Sequence, residues 1–346
     1  MTKSTDTHLI GWDIGGAHLK AARVDNGRVT GVVQIACPLW QGLDRLDAAL
    51  AQARSALGAS SRHAVTMTGE MVDLFDSRTG GVIGITQHLE ANLPGSMALF
   101  AGRAGWLSPA QAADHADDIA SANWLATAQW IGTHCPRALL ADIGSTTSDL
   151  IVVDHGVAGT SRSDADRLIS GELVYAGVVR TPLMALAPKI PFKGESYRVM
   201  AEHFATTSDV WRLLGLLPED ADHYPTADGG MKTPEASARR IARMIGRDMA
   251  DGSIADWRAL ARAFADAQIA ALVDAAGTLP GIASLPADAP VVCAGAGHFV
   301  AIELARQLGR PALPLQQLLA DHCTDDCAGD ANACAPAVAV ALLAAG

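Results

Sequence analysis

The sequence predicts a two-domain α/β protein, two like domains with a ligand cleft between them. An internal repeat, an alternation of strand and helix patterns, and a large apolar fraction predict it. The first copy of the repeat runs Asp13-Ile14-Gly15-Gly16-Ala17-His18-Leu19-Lys20 and on to Val24-Asp25-Asn26-Gly27. The second, 129 positions later, runs Asp142-Ile143-Gly144-Ser145-Thr146-Thr147-Ser148-Asp149 and on to Val153-Asp154-His155-Gly156. Asp, Ile, Gly, Val, Asp and Gly recur at the same offsets without a gap. Asp-x-Gly turns are common singly, but two in register, each after a buried-strand pattern, argue against chance. A chain of 346 residues, 49% hydrophobic and 18% charged, can bury a large core and form two domains.

Each copy opens on an apolar strand, Leu9–Trp12 or Ala138–Ala141. That strand enters the Asp-x-Gly turn, and a second strand leaves it for a polar turn at Asp25–Gly27 or Asp154–Gly156. Gly15, Gly16 and Gly144 let the turn backbone approach a ligand and bare its N–H groups. Ser145, Thr146 and Thr147 add hydroxyl donors suited to phosphate oxygens, and Lys20 adds a cation. His18 reads equally as a phosphate donor and as a packed histidine. Asp13 and Asp142 end buried strands, which is costly unless each is paired or sits near a metal ion. Two such hairpins facing each other would grip a phosphate chain and its Mg²⁺ from both sides.

The remaining elements follow in chain order. Gly31–Cys37 reads as a third strand, and Leu43–Leu57 repeats apolar residues at helical spacing. Ala64–Glu70 reads as a strand ending in a polar turn, followed by a short helix from Met71. A strand at Ser96–Phe100 and a long helical stretch from Pro109 to Cys135 complete a first domain over residues 1–135. Pro136 marks the boundary of a second over 136–334. Within it, Ser170–Pro182 is punctuated by two glycines and a Thr-Pro pair. From about 186 to 250 an insertion, loose and proline-rich at first, looks suited to lining a site. Pro234–Met249 reads as a helix with a basic, mostly solvated face, and Asp256–Ala276 as another. Pro290–Ala294 then meets Gly295-Ala296-Gly297-His298 with a helix over 299–308, which puts glycines and a helix N-terminus beside a ligand. The apolar run Ala335–Gly346 reads as a buried helix packing back on the first domain.

A net charge of −11 argues against a nucleic-acid partner. No apolar run approaches bilayer length and the N-terminus carries no leader pattern, so the expected address is the cytoplasm, with no membrane partner. Six scattered cysteines suit a reducing compartment. Cys323, Cys327 and Cys334 lack the paired knuckles of a zinc site and read as unliganded thiols.

Strand, phosphate hairpin, second phosphate hairpin and late Gly-x-Gly loop together resemble the actin, sugar-kinase and heat-shock-chaperone ATPase superfamily. The resemblance implies two actin-like (ribonuclease H-like) domains, with Gly295 and Gly297 in the adenosine loop. A closer likeness runs through Gly11–Ala17, Met67-Thr68-Gly69-Glu70-Met71-Val72-Asp73-Leu74-Phe75, Asp142–Thr147, Gly171–Pro182 and Thr226–Gly229. These look like the hydantoinase/oxoprolinase-related family, in its branch linked to tetrahydromethanopterin-dependent one-carbon transfer. Archaeal members of that branch are methanofuran-biosynthesis synthases. They condense an aminomethylfuran-methyl diphosphate with the phenol of glutamyltyramine and release pyrophosphate. They carry Gly-Ala-Asn-Thr-Lys where this chain has Gly16-Ala17-His18-Leu19-Lys20, which leaves the acceptor open between glutamyltyramine and a tyrosine-type phenol.

The resemblance thus implies a Mg²⁺-dependent transferase acting on small molecules, with Mg²⁺ held by Asp13 and Asp142. Glu70 and Glu172 are candidates for the base that takes the phenol proton. ATP is compatible with the loops but not expected in this reaction. Two other readings stay open: an ATP-dependent small-molecule kinase or hydantoinase-like amidohydrolase, and a nucleotide-binding regulator without turnover. Self-association is left open too.

Overall fold

The computed structural model describes residues 8–159, 161, 163–325 and 327–346. The stretch before His8, read above for a leader, lies outside them. The chain forms two compact units. One comprises residues 1–138, 153–167 and 314–346, the other residues 139–152 and 168–313.

The first unit begins with three antiparallel strands, β1 (His8–Ile14), β2 (His18–Asp25) and β3 (Arg28–Ala36). Helix α1 (Leu43–Leu57) leads to β4 (Arg62–Met67), and α2 (Arg78–Asn92) leads to β5 (Ser96–Phe100) and the short β6 (Trp106–Leu107). The sheet order is β3-β2-β1-β4-β5-β6, with β1, β4 and β5 mutually parallel. Strands β1 and β4 are buried almost throughout because helices cover both of their faces. Ile10, Trp12 and Ile14 point into a core closed by Leu46, Leu50 and Leu57 of α1 and Val82, Ile85 and Leu89 of α2.

Where a long helix was expected from Pro109 to Cys135, the chain forms α3 (Ala116–Ile119) and α4 (Asn123–His134), separated at Ser121. Ser121 takes φ 51°, a left-handed conformation that no α-helix propagates. The short helix expected from Met71 is likewise a run of turns, and the helix starts only at Arg78 behind the N-cap Ser77.

The second unit is built on most of β7 (Arg137–Ile143) and β8 (Ser148–Asp154); α5 (Asp164–Ser170), whose first four residues belong to the first unit, then leads to β9 (Leu173–Val174). A hairpin, β10 (Lys189–Phe192) with β11 (Glu195–Arg198), precedes α6 (Thr207–Leu213), α7 (Pro234–Arg243) and the 25-residue α8 (Ile254–Thr278). Then come β12 (Val291–Ala294), α9 (His298–Gln307) and β13 (Ala312–Pro314), giving the sheet order β13-β12-β7-β8-β9.

Helix α7 keeps Arg239 and Arg243 exposed, as a mostly solvated basic face requires, but turns Arg240 inward. Arg240 is fully buried, with its guanidinium 2.7 Å from Asp209 Oδ1 and 3.0 Å from Asp228 Oδ1. Arg212 completes this cluster through Asp209 and Asp222.

The chain then returns to the first unit with α10 (Leu315–Leu319), α11 (Ala328–Ala333) and α12 (Ala335–Ala345). Helix α12 lies on the sheet face opposite α1 and α2. It comes so close that a Cβ at Gly11 would fall 2.2 Å from the Ala337 carbonyl oxygen. Leu343 and Ala344 meet Leu9 and His63 around a cavity of about 330 Å³. The helix therefore runs antiparallel to β1, with its N-terminal end towards Asp13. Among the described residues no helix is long and apolar enough to cross a membrane.

Candidate functional site

Each unit carries the Asp-x-Gly turn of one repeated hairpin, and the two turns are closed by the same backbone bond. Gly15 donates to the His18 carbonyl at 3.0 Å, and Gly144 donates to the Thr147 carbonyl at 2.8 Å. The far turns match too, with Asn26 at φ 53° and His155 at φ 55°.

In the first unit Asp13 stands opposite Lys20 on β2 and opposite Thr66 on β4. Cross-strand partners share a face of the sheet, so a buried carboxylate, a half-buried ammonium and a buried hydroxyl form one row. Thr66 escaped the sequence reading, because one threonine in an apolar strand carries no motif. His18 is buried beside this row.

The turn at Gly15 and Gly16 is braced from two sides. Cys37 donates to Ala17 at 2.8 Å and Leu39 to Gly16 at 3.0 Å, while Thr68 and Gly69 both donate to the Ile14 carbonyl at 2.9 Å. The Thr68-Gly69-Glu70 segment is thereby sewn to the strand that carries Asp13.

The second unit repeats this bracing around Asp142. Gly177 donates to Thr146 at 3.0 Å and Val179 and Arg180 donate to Ser145 at 3.0 and 2.9 Å, while Gly297 donates to Ile143 at 2.7 Å. Strand β12 runs parallel to β7 with Ala294 opposite Asp142. Gly295 follows at φ 83°, and a Cβ there would lie 2.4 Å from Asp142 Oδ1, so only glycine fits against the carboxylate. The structure thus brings Gly295 and Gly297 onto the hairpin of Asp142, Gly144, Ser145, Thr146 and Thr147. The last four are half-buried and form the accessible part of that turn.

Gln268 of α8 is the second residue missed from sequence. It is fully buried; its Nε2 donates to the Ala176 and Gly177 carbonyls at 2.9 and 3.0 Å, and its Oε1 accepts from Trp211 Nε1 at 3.0 Å. It fixes the segment that braces the second hairpin. A lone polar residue at a core position of an apolar helix was the available signal.

The two candidate bases are both buried. Glu172 is 1% exposed beside Leu150, and its Oε2 accepts from Ser170 Oγ at 2.8 Å. Glu70 has no exposed surface, and its Oε1 lies in direct hydrogen-bond contact with Ser121 Oγ at 2.8 Å. Burial pushes the Glu70 carboxyl above the usual carboxylate range. The Ser121 contact and the Arg78 charge pull it back, and the Asp164 charge adds to the rise.

Cys37, Cys293 and Cys323 are buried and not poised as nucleophiles. Burial pushes Cys293, on the strand beside Asp142, up to about 12, and Cys37 and Cys323 to about 11. Among the described residues no group of three or more His, Cys, Asp or Glu side chains could hold a metal ion by itself. A single buried carboxylate in each hairpin still suits Mg²⁺, which is commonly held by one or two carboxylates together with substrate phosphate.

Comparison with known proteins gives the context of this geometry. Residues 61–317 match the hydantoinase/oxoprolinase family. The (4-{4-[2-(gamma-L-glutamylamino)ethyl]phenoxymethyl}furan-2-yl)methanamine synthase of Methanocaldococcus jannaschii is 30% identical over 241 residues, which cover 69% of this chain and 72% of that protein. The protein of the same name from Methanococcus vannielii is 38% identical over 113 residues, 33% of this chain and 51% of that one. Among solved structures, nucleotide-free acetone carboxylase aligns with a TM-score of 0.51 at 11% identity, covering 87% of this chain and 67% of that one. That likeness is one of fold alone.

Proposed function

The chain belongs to the hydantoinase/oxoprolinase family, and from that premise we propose that it is a transferase of methanofuran-type cofactor biosynthesis. It would condense an aminomethylfuran-methyl diphosphate with a phenolic acceptor, glutamyltyramine or a tyrosine-type phenol, and release pyrophosphate. The observation that carries this reading is the 30% identity with the archaeal synthase over 69% of the chain. It extends well beyond the two hairpins that any phosphate-binding relative would share.

The chemistry asks for charge to be taken off a leaving group. The C–O bond between the furfuryl methylene and the diphosphate breaks with its electron pair going to the phosphate oxygen, and the furan ring stabilises the carbon left behind. The phenol oxygen attacks that carbon, forms the aryl ether and sheds its proton. Lys20, the turn amides at Gly15, Gly16 and Gly144, and the hydroxyls of Ser145, Thr146 and Thr147 would donate to the diphosphate oxygens, and His18 would add a ring N–H. Asp13 and Asp142 would hold Mg²⁺, which when bound supplies charge neutralisation on the leaving oxygens. With Glu70 and Glu172 both buried, the departing diphosphate, whose oxygen gains basicity as the bond breaks, is the acceptor we assign to the phenol proton. Gly295 and Gly297 would then border the organic part of a substrate rather than an adenosine.

The test is acceptor-dependent pyrophosphate release in the presence of Mg²⁺, with mass detection of the ether. Pyrophosphate together with an ether of matching mass is the expected result. Folded protein that gives neither with any phenolic acceptor, yet releases phosphate from ATP with a small substrate, would overturn the proposal in favour of an ATP-dependent enzyme.

A further inference from the structure

Glu70 lies at the centre of a closed polar cluster within the first unit. Ser121 Oγ is 2.8 Å from Glu70 Oε1 and 3.0 Å from Asp164 Oδ2. Arg78 Nη2 donates to the same Asp164 Oδ2 at 2.9 Å, and Arg78 Nε stands 3.8 Å from Glu70 Oε1. Arg167 faces Asp164 Oδ1 at 3.4 Å, and its guanidinium rests 4.4 Å from the centre of the Trp124 ring. These are the charged groups that α2 and α5 turn towards Glu70.

Counting protons decides how the cluster is charged. A serine hydroxyl has one hydrogen, so it can donate to only one of two carboxyl groups. For both short contacts to be hydrogen bonds, the other carboxyl must donate to Ser121. Asp164 faces two guanidinium groups and is therefore the ionised partner. Glu70 has no exposed surface, and its Oε2 accepts no hydrogen bond among the described residues. An orphaned oxygen is tolerable on a neutral acid and costly on a buried carboxylate.

We propose that Glu70 is a neutral carboxylic acid that donates to Ser121, which donates in turn to Asp164. The chain Glu70–Ser121–Asp164 makes Glu70 a positioning residue, not the base of the reaction. It acts through two connections. Asp164 anchors Arg78 at the start of α2, and the backbone next to Glu70 is bonded to Ile14 between Asp13 and Gly15. The left-handed φ of Ser121 serves the same end, since it breaks the helix where the hydroxyl must meet two carboxyl groups.

The proton assignment stands on geometry alone, whereas its consequence for turnover rests on the synthase reading. The first experiment is therefore spectroscopic: infrared spectra of the intact protein at neutral pH, wild type against Glu70→Gln. A protonated-carboxyl C=O band present in wild type and missing from Glu70→Gln is expected. Its absence from wild type would overturn the assignment, whether or not any substrate turns over. Ser121→Gly, which suits the left-handed backbone, should keep the band but shift it to higher frequency. An unmoved band would break the proposed link to Ser121.

Turnover then separates the roles. Glutamine keeps both the size and the donor of the neutral acid, so Glu70→Gln should hold kcat/KM within about threefold of wild type. Loss of a general base costs about 10²–10⁴-fold, and a loss of that size in folded Glu70→Gln would overturn the positioning role. If wild type turns over none of the substrates, the synthase reading fails, and the infrared result still decides the proton.

Discussion

His63 shows at a single residue how a polar group survives in the core of the first unit. Its Nδ1 accepts from Trp12 Nε1 at 3.1 Å, which leaves Nε2 to carry the proton and donate to the Pro94 carbonyl at 3.1 Å. Both ring nitrogens are satisfied only in the neutral form, and burial holds the ring below its ordinary value of 6.5, with the Arg54 charge acting in the same direction. The unfolded chain then binds a proton more readily than the folded one. The stability His63 contributes is full above pH 6.5 and is lost as pH falls from there towards the lower folded value. Melting temperature should therefore fall between neutral pH and about pH 5, with part of that fall missing in His63→Gln. Equal slopes in the two proteins would show that His63 does not set this dependence.

Arg240 illustrates the opposite balance, because its charge is kept and matched. Removing it leaves Asp209, itself 1% exposed, with Ser237 Oγ at 2.8 Å, the Thr206 backbone N–H at 3.2 Å and Arg212 at 3.4 Å as partners. Arg240→Ala should cost about 3 kcal/mol, the low end for breaking a buried pair, because those partners stay. Chemical denaturation of the variant would measure it, and a cost below about 1 kcal/mol would mean the pair is no better than a surface one. The sequence showed Arg239, Arg240, Arg243 and Arg247 as one basic helix face. It did not show that Asp209 and Asp228, 31 and 12 residues earlier, would take one of the four inside.

At the scale of elements, what could be read in advance was whatever repeats or alternates locally. Leu43–Leu57 and Ser96–Phe100 have the bounds that apolar spacing assigns them, and both hairpins sit where the repeat places them. The misreadings arose where tertiary contacts outweigh local pattern. Helix propensity runs from Pro109 to Cys135, but bonding to Glu70 and Asp164 holds Ser121 outside helical geometry. Thr66 carries no signature because Asp13 and Lys20 come beside it only by folding, and Gln268 shows only as a lone polar residue whose partners, Trp211 and the Ala176 and Gly177 carbonyls, are brought near in the same way.

Gly11 gives the clearest element-scale test. It was read as part of a motif, yet its neighbours make it a packing residue: α12 presents Ala337 and Ala341 here and comes within contact of the β1 backbone. A methyl group there meets the Ala337 carbonyl, which is backbone and cannot rotate away. Gly11→Ala should therefore cost about 1–3 kcal/mol, against the slight gain that Gly→Ala brings at an unstrained site. A variant as stable as wild type would show that α12 can lift off the sheet without loss.

For the whole molecule, the repeat means that each unit supplies the same device: a buried aspartate, a glycine turn closed by one backbone bond, and two bracing segments. The units differ in what surrounds it. The first adds Lys20 and Thr66 beside its aspartate, and the second adds three hydroxyls and the Gly295 loop. A protein of net charge −11 that binds a diphosphate depends on such local donors, since its overall field repels the ligand. Ligand binding should therefore be visible as stability. At a diphosphate concentration of about 100 Kd, with Mg²⁺ present, the folded state gains about 2.7 kcal/mol, enough to raise the melting temperature by several degrees. We expect this rise with Mg²⁺ and pyrophosphate together and a much smaller one with Mg²⁺ alone, because one carboxylate per hairpin binds the ion weakly without phosphate oxygens. Asp13→Asn and Asp142→Asn should each reduce the rise while leaving the ligand-free melting temperature within a few degrees of wild type, because asparagine keeps the size of each side chain. If both variants keep the full rise, the hairpins do not hold the diphosphate, and the roles assigned to both aspartates fall together.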